Sequence, residues 1–146
     1  MIAYLDSSAL VKLYVLEPGS ARVRRLVEEA DVAATSAIAY AEIRSAMARR
    51  HREGDLSESA LSRIKAALLA DWEALFVLPA TGAVARIAGD LAEEHGLGGM
   101  DAVHLASALW LARQHSSPMT FAARDERLAR AAEALGFDVV GSGLND

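Results

Sequence analysis

The sequence predicts an α/β protein in which a parallel β-sheet lies between layers of helices. Short apolar segments alternate along the chain with longer amphipathic ones, which is the pattern of strands separated by helices. Because such connections cross the sheet in a right-handed sense, the strands are expected to run parallel. Alanine supplies 31 of the 146 residues, which suits close helix packing. The whole chain, residues 1–146, is therefore predicted to be one α/β domain.

The first half of the chain is predicted to hold two strands and four helices. Each predicted helix follows a Ser or Asp that can cap its first turn. Gly54 separates the two longest of these helices, which are expected to form a hairpin. The strands cover residues 2–5 and 32–35, and the helices start after Asp6, Ser20, Ser36 and Ser57.

The second half is predicted to hold three strands and three helices. Pro79 closes the first of these strands, and Thr81 is placed to cap the helix that follows. Glycines at positions 96, 98 and 99 end that helix before the most apolar helix of the chain. The strands cover residues 75–78, 119–122 and 137–140, and the helices cover about 81–95, 100–115 and 125–135.

Composition excludes several classes of protein. With no Cys, the chain has no disulfide, no thiolate nucleophile and no Cys-based zinc site, so any metal chemistry must be led by carboxylates. The longest stretch without a charged side chain has twelve residues, 74–85, whereas a membrane span needs about 20. The N-terminus carries Asp6 where a signal peptide would be apolar. We therefore expect a cytoplasmic protein with no membrane segment.

The charge balance gives no general attraction for nucleic acid. The formal net charge is -5, although 13 of the 15 basic residues are Arg. Two dense basic patches, around Arg22–Arg25 and Arg49–Arg52, are typical of solvated helix surfaces, and the second also complements a helix C-terminus. Any binding of phosphate must therefore be local or mediated by a metal.

Three aspartates follow predicted strands or open predicted helices. Asp6 comes directly after the strand 2–5, Asp125 follows the strand 119–122, and Asp101 opens the apolar helix after Gly98 and Gly99. Ligands of open parallel sheets gather where strands end and helices begin, so these carboxylates are candidates for one site. Each also has a plain structural interpretation, because Asp is a favoured helix N-cap worth about 0.5–2 kcal/mol.

Glu42 is the fourth candidate, because helical spacing places it among Ile38, Ala39 and Ala46 on a largely apolar face. A buried carboxylate is paired, bound to a metal or protonated. Arg44, Arg49 or contact with water at an edge are the structural alternatives to a functional role.

A cluster of these four carboxylates would repel itself unless cations neutralise it. Oxygen-only ligands suit Mg²⁺ or Mn²⁺, which keep several waters and bind through a few carboxylates plus substrate phosphate. A divalent pair about 3.5–4 Å apart can activate water and stabilise the leaving oxygen of a phosphodiester. The residues therefore point to metal-assisted hydrolysis of a phosphodiester.

Four short segments, in fixed order over essentially the whole chain, carry a resemblance to a known family. They are Tyr4-Leu5-Asp6-Ser7-Ser8-Ala9-Leu10, Ala41-Glu42-Ile43, Met100-Asp101-Ala102-Val103-His104-Leu105-Ala106-Ser107-Ala108 and Asp125-Glu126-Arg127-Leu128-Ala129-Arg130-Ala131-Ala132. Together they resemble PIN-domain ribonucleases, most closely the VapC-type toxins of type II toxin-antitoxin pairs.

The resemblance implies a PIN-like three-layer α/β/α sandwich with a central five-stranded parallel sheet. It implies that Asp6, Glu42, Asp101 and Asp125 form the catalytic, metal-binding quartet of an endoribonuclease that uses Mg²⁺ or Mn²⁺. It also implies an RNA substrate, a cognate VapB-type antitoxin as inhibitor and a homodimer.

Three further positions bear on the site. Ser8 matches a hydroxyl commonly found two residues after the first aspartate, where it could orient Asp6 or equally serve the helix start. Ala123 departs from the family, which often has a hydroxyl residue there. His104 lies one helical turn beyond Asp101, but its apolar neighbours favour a hydrogen-bonded core histidine.

Two alternatives to a toxin remain open. One is a PIN-domain nuclease that processes RNA without an antitoxin, which a lone gene without a neighbouring antitoxin frame would favour. The other is a catalytically silent binding domain that keeps the acids only as helix caps, which failure to bind divalent metal would favour. An aspartyl phosphatase is disfavoured because Asp6-Ser7-Ser8 lacks a second acid two residues on.

Overall fold

The computed structural model describes residues 1–141, so the last five residues of the predicted domain lie outside the described residues. Five strands form one sheet in the order β3-β2-β1-β4-β5, and every neighbouring pair is parallel. The predicted five-stranded parallel sheet is therefore confirmed. The strands are β1 (Ile2–Leu5), β2 (Val32–Ser36), β3 (Phe76–Leu78), β4 (Met119–Ala122) and β5 (Asp138–Val140).

Seven α-helices connect and flank these strands, close to the predicted bounds. They are α1 (Ser7–Leu10), α2 (Ser20–Glu29), α3 (Ile38–Arg52), α4 (Glu58–Trp72), α5 (Gly82–His95), α6 (Gly99–Gln114) and α7 (Glu126–Ala134). The predicted caps Ser57 and Thr81 accept from the backbone N–H groups of Ala60 and Val84. Among residues 1–141, none of the helices combines the length and the apolar character that crossing a membrane requires.

Two apolar cores lie on opposite faces of the sheet. Alternation along β1 sends Ile2 and Tyr4 into one core and Ala3 and Leu5 into the other. The first core is closed by α5, α6 and α7, and the second by α1, α2, α3 and α4. Because helices cover both faces, all four residues of β1 are buried. This arrangement is the predicted three-layer α/β/α sandwich.

Two predicted helix caps are wrong. Gly19 precedes α2 with φ 87°, and the Ser20 hydroxyl turns inward, donating to the Val15 carbonyl and accepting from the Glu17 N–H. Ser36 is the buried last residue of β2, and Ala37, whose side chain makes no cap, precedes α3. The Ser20 hydroxyl is used in the turn before α2, whereas the Ser36 hydroxyl accepts from the Ile38 N–H at 3.4 Å although Ser36 belongs to β2.

Candidate active site

Asp6 leaves the central strand at its carboxyl end and caps α1. Its Oδ1 accepts from the Ala9 N–H at 2.8 Å and from the Ser8 hydroxyl at 2.7 Å. The residue is only 4% exposed, and this burial raises the pKa of the Asp6 carboxyl to about 6, although His104 and the two hydrogen bonds act in the opposite direction. Asp6 is thus a helix cap, and its burial disfavours the ionised form of its carboxyl group.

Ser8 connects Asp6 to the loop after β4. Besides donating to Asp6, its hydroxyl accepts from the Arg124 N–H at 3.0 Å. Because β1 and β4 are paired with Leu5 opposite Ala122, the residues that follow the two strands lie side by side. The predicted contact of Ser8 with Asp6 is present, while its role in catalysis stays a prediction.

Asp125 and Asp101 begin two further helices on the same edge of the sheet. Asp125 caps α7, where its Oδ1 accepts from the Leu128 N–H at 2.9 Å, but unlike Asp6 it is exposed. Asp101 lies in the first turn of α6, whose N-cap is Gly98, so the cap interpretation of Asp101 is wrong. A carboxylate in a first turn still benefits from the helix dipole.

Electrostatic interactions link the four predicted acids into one negative region. Burial raises the pKa of Asp101, the charges of Asp125 and Glu42 raise it further, and His104 acts to lower it. Asp101 in turn contributes to the raised pKa of Asp6. Asp101 is therefore close enough to Glu42, Asp125 and Asp6 for these carboxylates to interact through their charges.

Glu42 is held by His104 rather than by an arginine. The His104 Nε2 lies 2.7 Å from the Glu42 Oε1, and its Nδ1 lies 3.0 Å from the hydroxyl of the buried Tyr4. Arg44 instead donates to the Tyr40 hydroxyl, so the Arg44 and Arg49 alternatives for pairing with Glu42 are wrong. The Glu42 side chain is 28% exposed and also reaches solvent.

His104 is the buried histidine that its apolar neighbours predict, and it also touches the site. Only 1% of His104 is exposed, and both ring nitrogens are hydrogen-bonded. When the Tyr4 hydroxyl donates to Nδ1, the Nε2–H donates to Glu42, which orients that carboxylate. The spacing of Asp101 and His104 indicates a shared helix face, but no local signal connects His104 to Tyr4 or Glu42 across the fold.

Two cavities open around these residues. The larger, of about 970 Å³, is lined by Asp101, Asp125 and the N-terminal part of α7. The smaller, of about 270 Å³, is lined by Ser8, Glu42 and part of α3. Arg124 lines both cavities. Asp101, Asp125 and Glu42 thus line cavities that open to solvent, whereas Asp6 lines neither and stays buried.

The donor chemistry of the four acids fits a hard divalent cation, because all donors are carboxylate oxygens and two of the pKa values are raised partly by neighbouring negative charge. Within residues 1–141, however, no three His, Cys, Asp or Glu side chains are grouped so that they could hold a metal ion as they stand. Side-chain rotation would therefore have to accompany binding of a cation.

The fold and the arrangement of acids at its edge define a family of proteins. The family model described as PIN domain matches residues 3–134, and the chain therefore belongs to the PIN-domain family. The resemblance to PIN-domain ribonucleases of VapC type, predicted from sequence, is thus confirmed.

Relatives of similar length are named as VapC ribonucleases. Ribonuclease VapC45 of Mycobacterium tuberculosis (strain CDC 1551 / Oshkosh) is 38% identical over 144 residues, covering 99% of this chain and 98% of the relative. Ribonuclease VapC46 of M. tuberculosis (strain ATCC 25618 / H37Rv) is 36% identical over 137 residues, covering 94% and 95%.

Solved structures share the fold. FitAcB from Neisseria gonorrhoeae superposes with a TM-score of 0.68 at 24% identity, over 95% of this chain and 96% of that chain. VapBC2 from Rickettsia felis, bound to a DNA fragment from its promoter, superposes with a TM-score of 0.65 at 16% identity, over 97% and 98%.

Proposed function

We propose that the protein is a VapC-type toxin that cleaves RNA with the help of Mg²⁺ or Mn²⁺. The observation that carries this proposal is that the acids lie together at the carboxyl edge of the sheet, where the charges of Asp125 and Glu42 add to burial in raising the pKa of Asp101. Relatives over 30% identical across nearly the whole chain are named ribonucleases, which supports the same activity here. The nuclease is proposed to be a single domain over residues 1–146.

Asp6, Asp101 and Asp125, with Glu42, are the residues proposed to hold the cation. A divalent ion bound there would supply an activated water and stabilise the charge that develops on the phosphate. Ser8 fixes the Asp6 Oδ1, and His104 fixes the Glu42 Oε1, so two of the four carboxylates are pre-oriented by the protein. No side chain is proposed as a nucleophile.

A VapB-type antitoxin is the proposed partner. The support is that several structural relatives are solved as complexes, including a toxin-antitoxin complex from Klebsiella pneumoniae and FitAB bound to a DNA fragment, the latter at 25% identity. A homodimer and action on cytoplasmic RNA are part of the same proposal. Co-purification from the native operon is the test, and a chain that emerges alone, active and harmless to its host would favour the RNA-processing alternative.

Sequencing of RNA ends after induced expression tests activity and target together. The intact chain is expected to generate new ends at defined positions, whereas the Asp6→Asn chain, expressed to the same level, is expected to generate none. Asn is a suitable control because it caps a helix about as well as Asp and so preserves the start of α1. Identical RNA ends from the two chains would contradict the proposal.

A further inference from the structure

Five arginines line the two cavities around the acids: Arg49, Arg50, Arg124, Arg127 and Arg130. They provide positive charge next to a site whose own charge repels phosphate. Because the chain as a whole is negative, these side chains are the local source of attraction for a polyanion. The question is which of them are available to a ligand.

Three of the five are engaged with the protein itself. Arg50 pairs with Glu17 at 3.0 Å, Arg127 donates to the Gly96 carbonyl at 3.0 Å, and Arg130 lies 3.5 Å from Glu126. Among residues 1–141, the guanidinium groups of Arg49 and Arg124 have no ion pair or hydrogen bond, and both residues are exposed. These two arginines are therefore free to bind.

Arg124 occupies a position that helix stability does not explain. It directly precedes Asp125, the cap of α7, and a positive charge near a helix N-terminus is opposed by the helix dipole. Its backbone is nevertheless pinned, because its N–H donates to the Ser8 hydroxyl that also binds Asp6. The fold thus holds the backbone of Arg124 between Asp6 and Asp125, two of the proposed catalytic acids. Arg124 also lines both cavities.

Arg49 also lines the smaller cavity, from a different element. It lies in the last turn of α3, two turns after Glu42, and lines the same cavity as Glu42 and Arg124. It also borders a shallow depression that contains Glu42 and Ser45. Its charge is favourable at a helix C-terminus, so Arg49 costs the fold nothing while facing the site.

We propose that Arg49 and Arg124 bind two backbone phosphates of a single RNA strand that crosses the smaller cavity and continues past Asp125 into the larger one. This inference rests on the proposed ribonuclease function and adds its substrate-binding residues. Guanidinium groups match phosphate oxygens with paired hydrogen bonds, which places the strand over the acids. The strand is proposed to be an unpaired segment, because single-stranded loops and ends leave the RNA backbone and bases accessible to side chains in a narrow cavity.

Steady-state cleavage kinetics test the proposal, with a fluorescent single-stranded RNA that carries a cleavage site mapped by end sequencing. Arg49→Gln and Arg124→Gln are each expected to raise KM about tenfold and to leave kcat within about twofold. The reason is that each arginine is proposed to contribute to binding of the RNA and not to the chemical step. Each is also expected to reduce the slope of log(kcat/KM) against log[salt] by about 0.7, the value for one phosphate contact on a single strand. Arg124→Lys keeps the charge and is expected to restore that slope.

Arg25→Gln is the matched control, since Arg25 is an exposed arginine on α2 that lines neither cavity. It is expected to match the wild type in KM and in salt slope, and melting curves verify that every variant is folded. If Arg49→Gln and Arg124→Gln also match the wild type while RNA is cleaved, the inference is overturned. Weaker antitoxin binding with unchanged KM for RNA would overturn it as well, in favour of a protein-docking surface. A folded wild type that cleaves no RNA would instead contradict the proposed function.

Discussion

Two groups of charged side chains lie next to the smaller cavity, one reaching it through Glu42 and the other through Glu17 and Arg50, and they balance buried charge in different ways. One is the acid site of Asp6, Glu42, Asp101 and Asp125. The other, which we call the Glu17 network, consists of Glu17, Lys12 and Arg50. Lys12 is only 2% exposed, yet its ammonium group donates to the Glu17 Oε1 at 2.9 Å and to the Pro18 carbonyl at 2.7 Å. Arg50 binds the other Glu17 oxygen.

The pKa values record the difference between these groups. Burial acts to raise the pKa of Glu17, but the hydrogen bonds and charges of Lys12 and Arg50 together outweigh it, and the pKa is lowered. At Asp6 burial dominates, and the pKa is raised to about 6. Within residues 1–141, Lys12 and Arg50 pair with the structural carboxylate Glu17, whereas no Lys or Arg side chain pairs with an acid of the site. An unbalanced cluster of this kind is suited to a cation that comes from solution.

The largest expected effect comes from neutralising one acid of the site. Asp6→Asn or Asp125→Asn is expected to reduce RNA cleavage by about a hundredfold or more, since each removes a proposed metal ligand. Asn retains the helix cap, so circular dichroism is expected to be unchanged. Cleavage by both variants at the wild-type rate would mean that the acid site is no more functional than the Glu17 network.

Breaking the Glu17 network is expected to affect stability and not chemistry. Glu17→Gln leaves Lys12 buried without its carboxylate and is expected to cost about 3 kcal/mol of the free energy of unfolding. Urea denaturation measures this cost. The control is Glu126→Gln, which removes an exposed pair with Arg130 and is expected to cost less than about 0.5 kcal/mol. Equal losses from the two variants would show that the network is no stronger than a surface pair.

Divalent cations are expected to stabilise the protein through the acid site. At a hundredfold excess over Kd, Mg²⁺ or Mn²⁺ is expected to add about 2.7 kcal/mol to the free energy of unfolding. Melting temperature across a millimolar titration measures the gain, and Glu17→Gln is expected to gain as much as the wild type. A flat titration would contradict convergence of the four acids on a cation. Without metal, Asp101→Asn is expected to raise the melting temperature by relieving repulsion.

The acid site and the Glu17 network are expected to change the stability of the metal-free protein in opposite directions as the pH rises. Because Asp6 binds a proton more tightly in the folded state, it contributes stability that is lost as pH rises from about 4 through about 6. Glu17 binds a proton less tightly in the folded state, so its contribution is present above the unfolded pKa of 4.5 and is lost as pH falls below it. Melting curves from pH 4 to 7 in a chelator measure both responses. Asp6→Asn is expected to reduce the loss of stability as pH rises from about 4 through about 6. An unaltered pH profile in that variant would contradict the attribution of this loss to Asp6.

Among the substitutions within the site, His104→Gln is expected to have the smallest effect on catalysis. A Gln amide can still donate to the Glu42 Oε1, so cleavage is expected to fall less than about tenfold. His104→Ala removes both hydrogen-bonding groups and is expected to reduce activity further and to destabilise the fold. Comparing kcat and melting temperature of the two variants separates orientation of Glu42 from packing. Complete inactivity of a folded His104→Gln chain would make His104 part of the chemistry.

Local sequence patterns were sufficient for most of the fold. The bounds of β1 and β4 match the predicted strands, because both are apolar segments; the capping Asp6 follows β1 at once, and the capping Asp125 comes three residues after β4. The cap prediction failed at Ser20, whose hydroxyl binds backbone groups of the preceding turn. The predicted first helix is also shorter than its spacing indicates, because α1 passes into a 3-10 turn at Val11–Leu13.

Long-range pairing sets the limit for the site. The acids could be selected from sequence because strand ends converge in a parallel sheet. The partner of Glu42 could not, since His104 is 62 residues away and nearer arginines compete in any local interpretation. The burial of Lys12 could not be predicted from the sequence, because a lysine near a helix is ordinarily solvated. Only its contacts with Glu17 and Pro18 in the structure reveal that it is buried.

The order of strands in the sheet also determines when the acid site can form during translation. The first strand made, β1, is the centre of the sheet, but its partner β4 is encoded more than a hundred residues later, with Ile2 opposite Met119. A nascent chain can therefore pair β1 with β2 early, but the other edge of β1 stays unpaired until β4 has been made. Arg124 and Asp125 come two and three residues after β4, so they join Asp6 only after that strand. The residues of the acid site are thus all present more than a hundred residues after β1, whereas the Glu17 network is complete once Arg50 has been made.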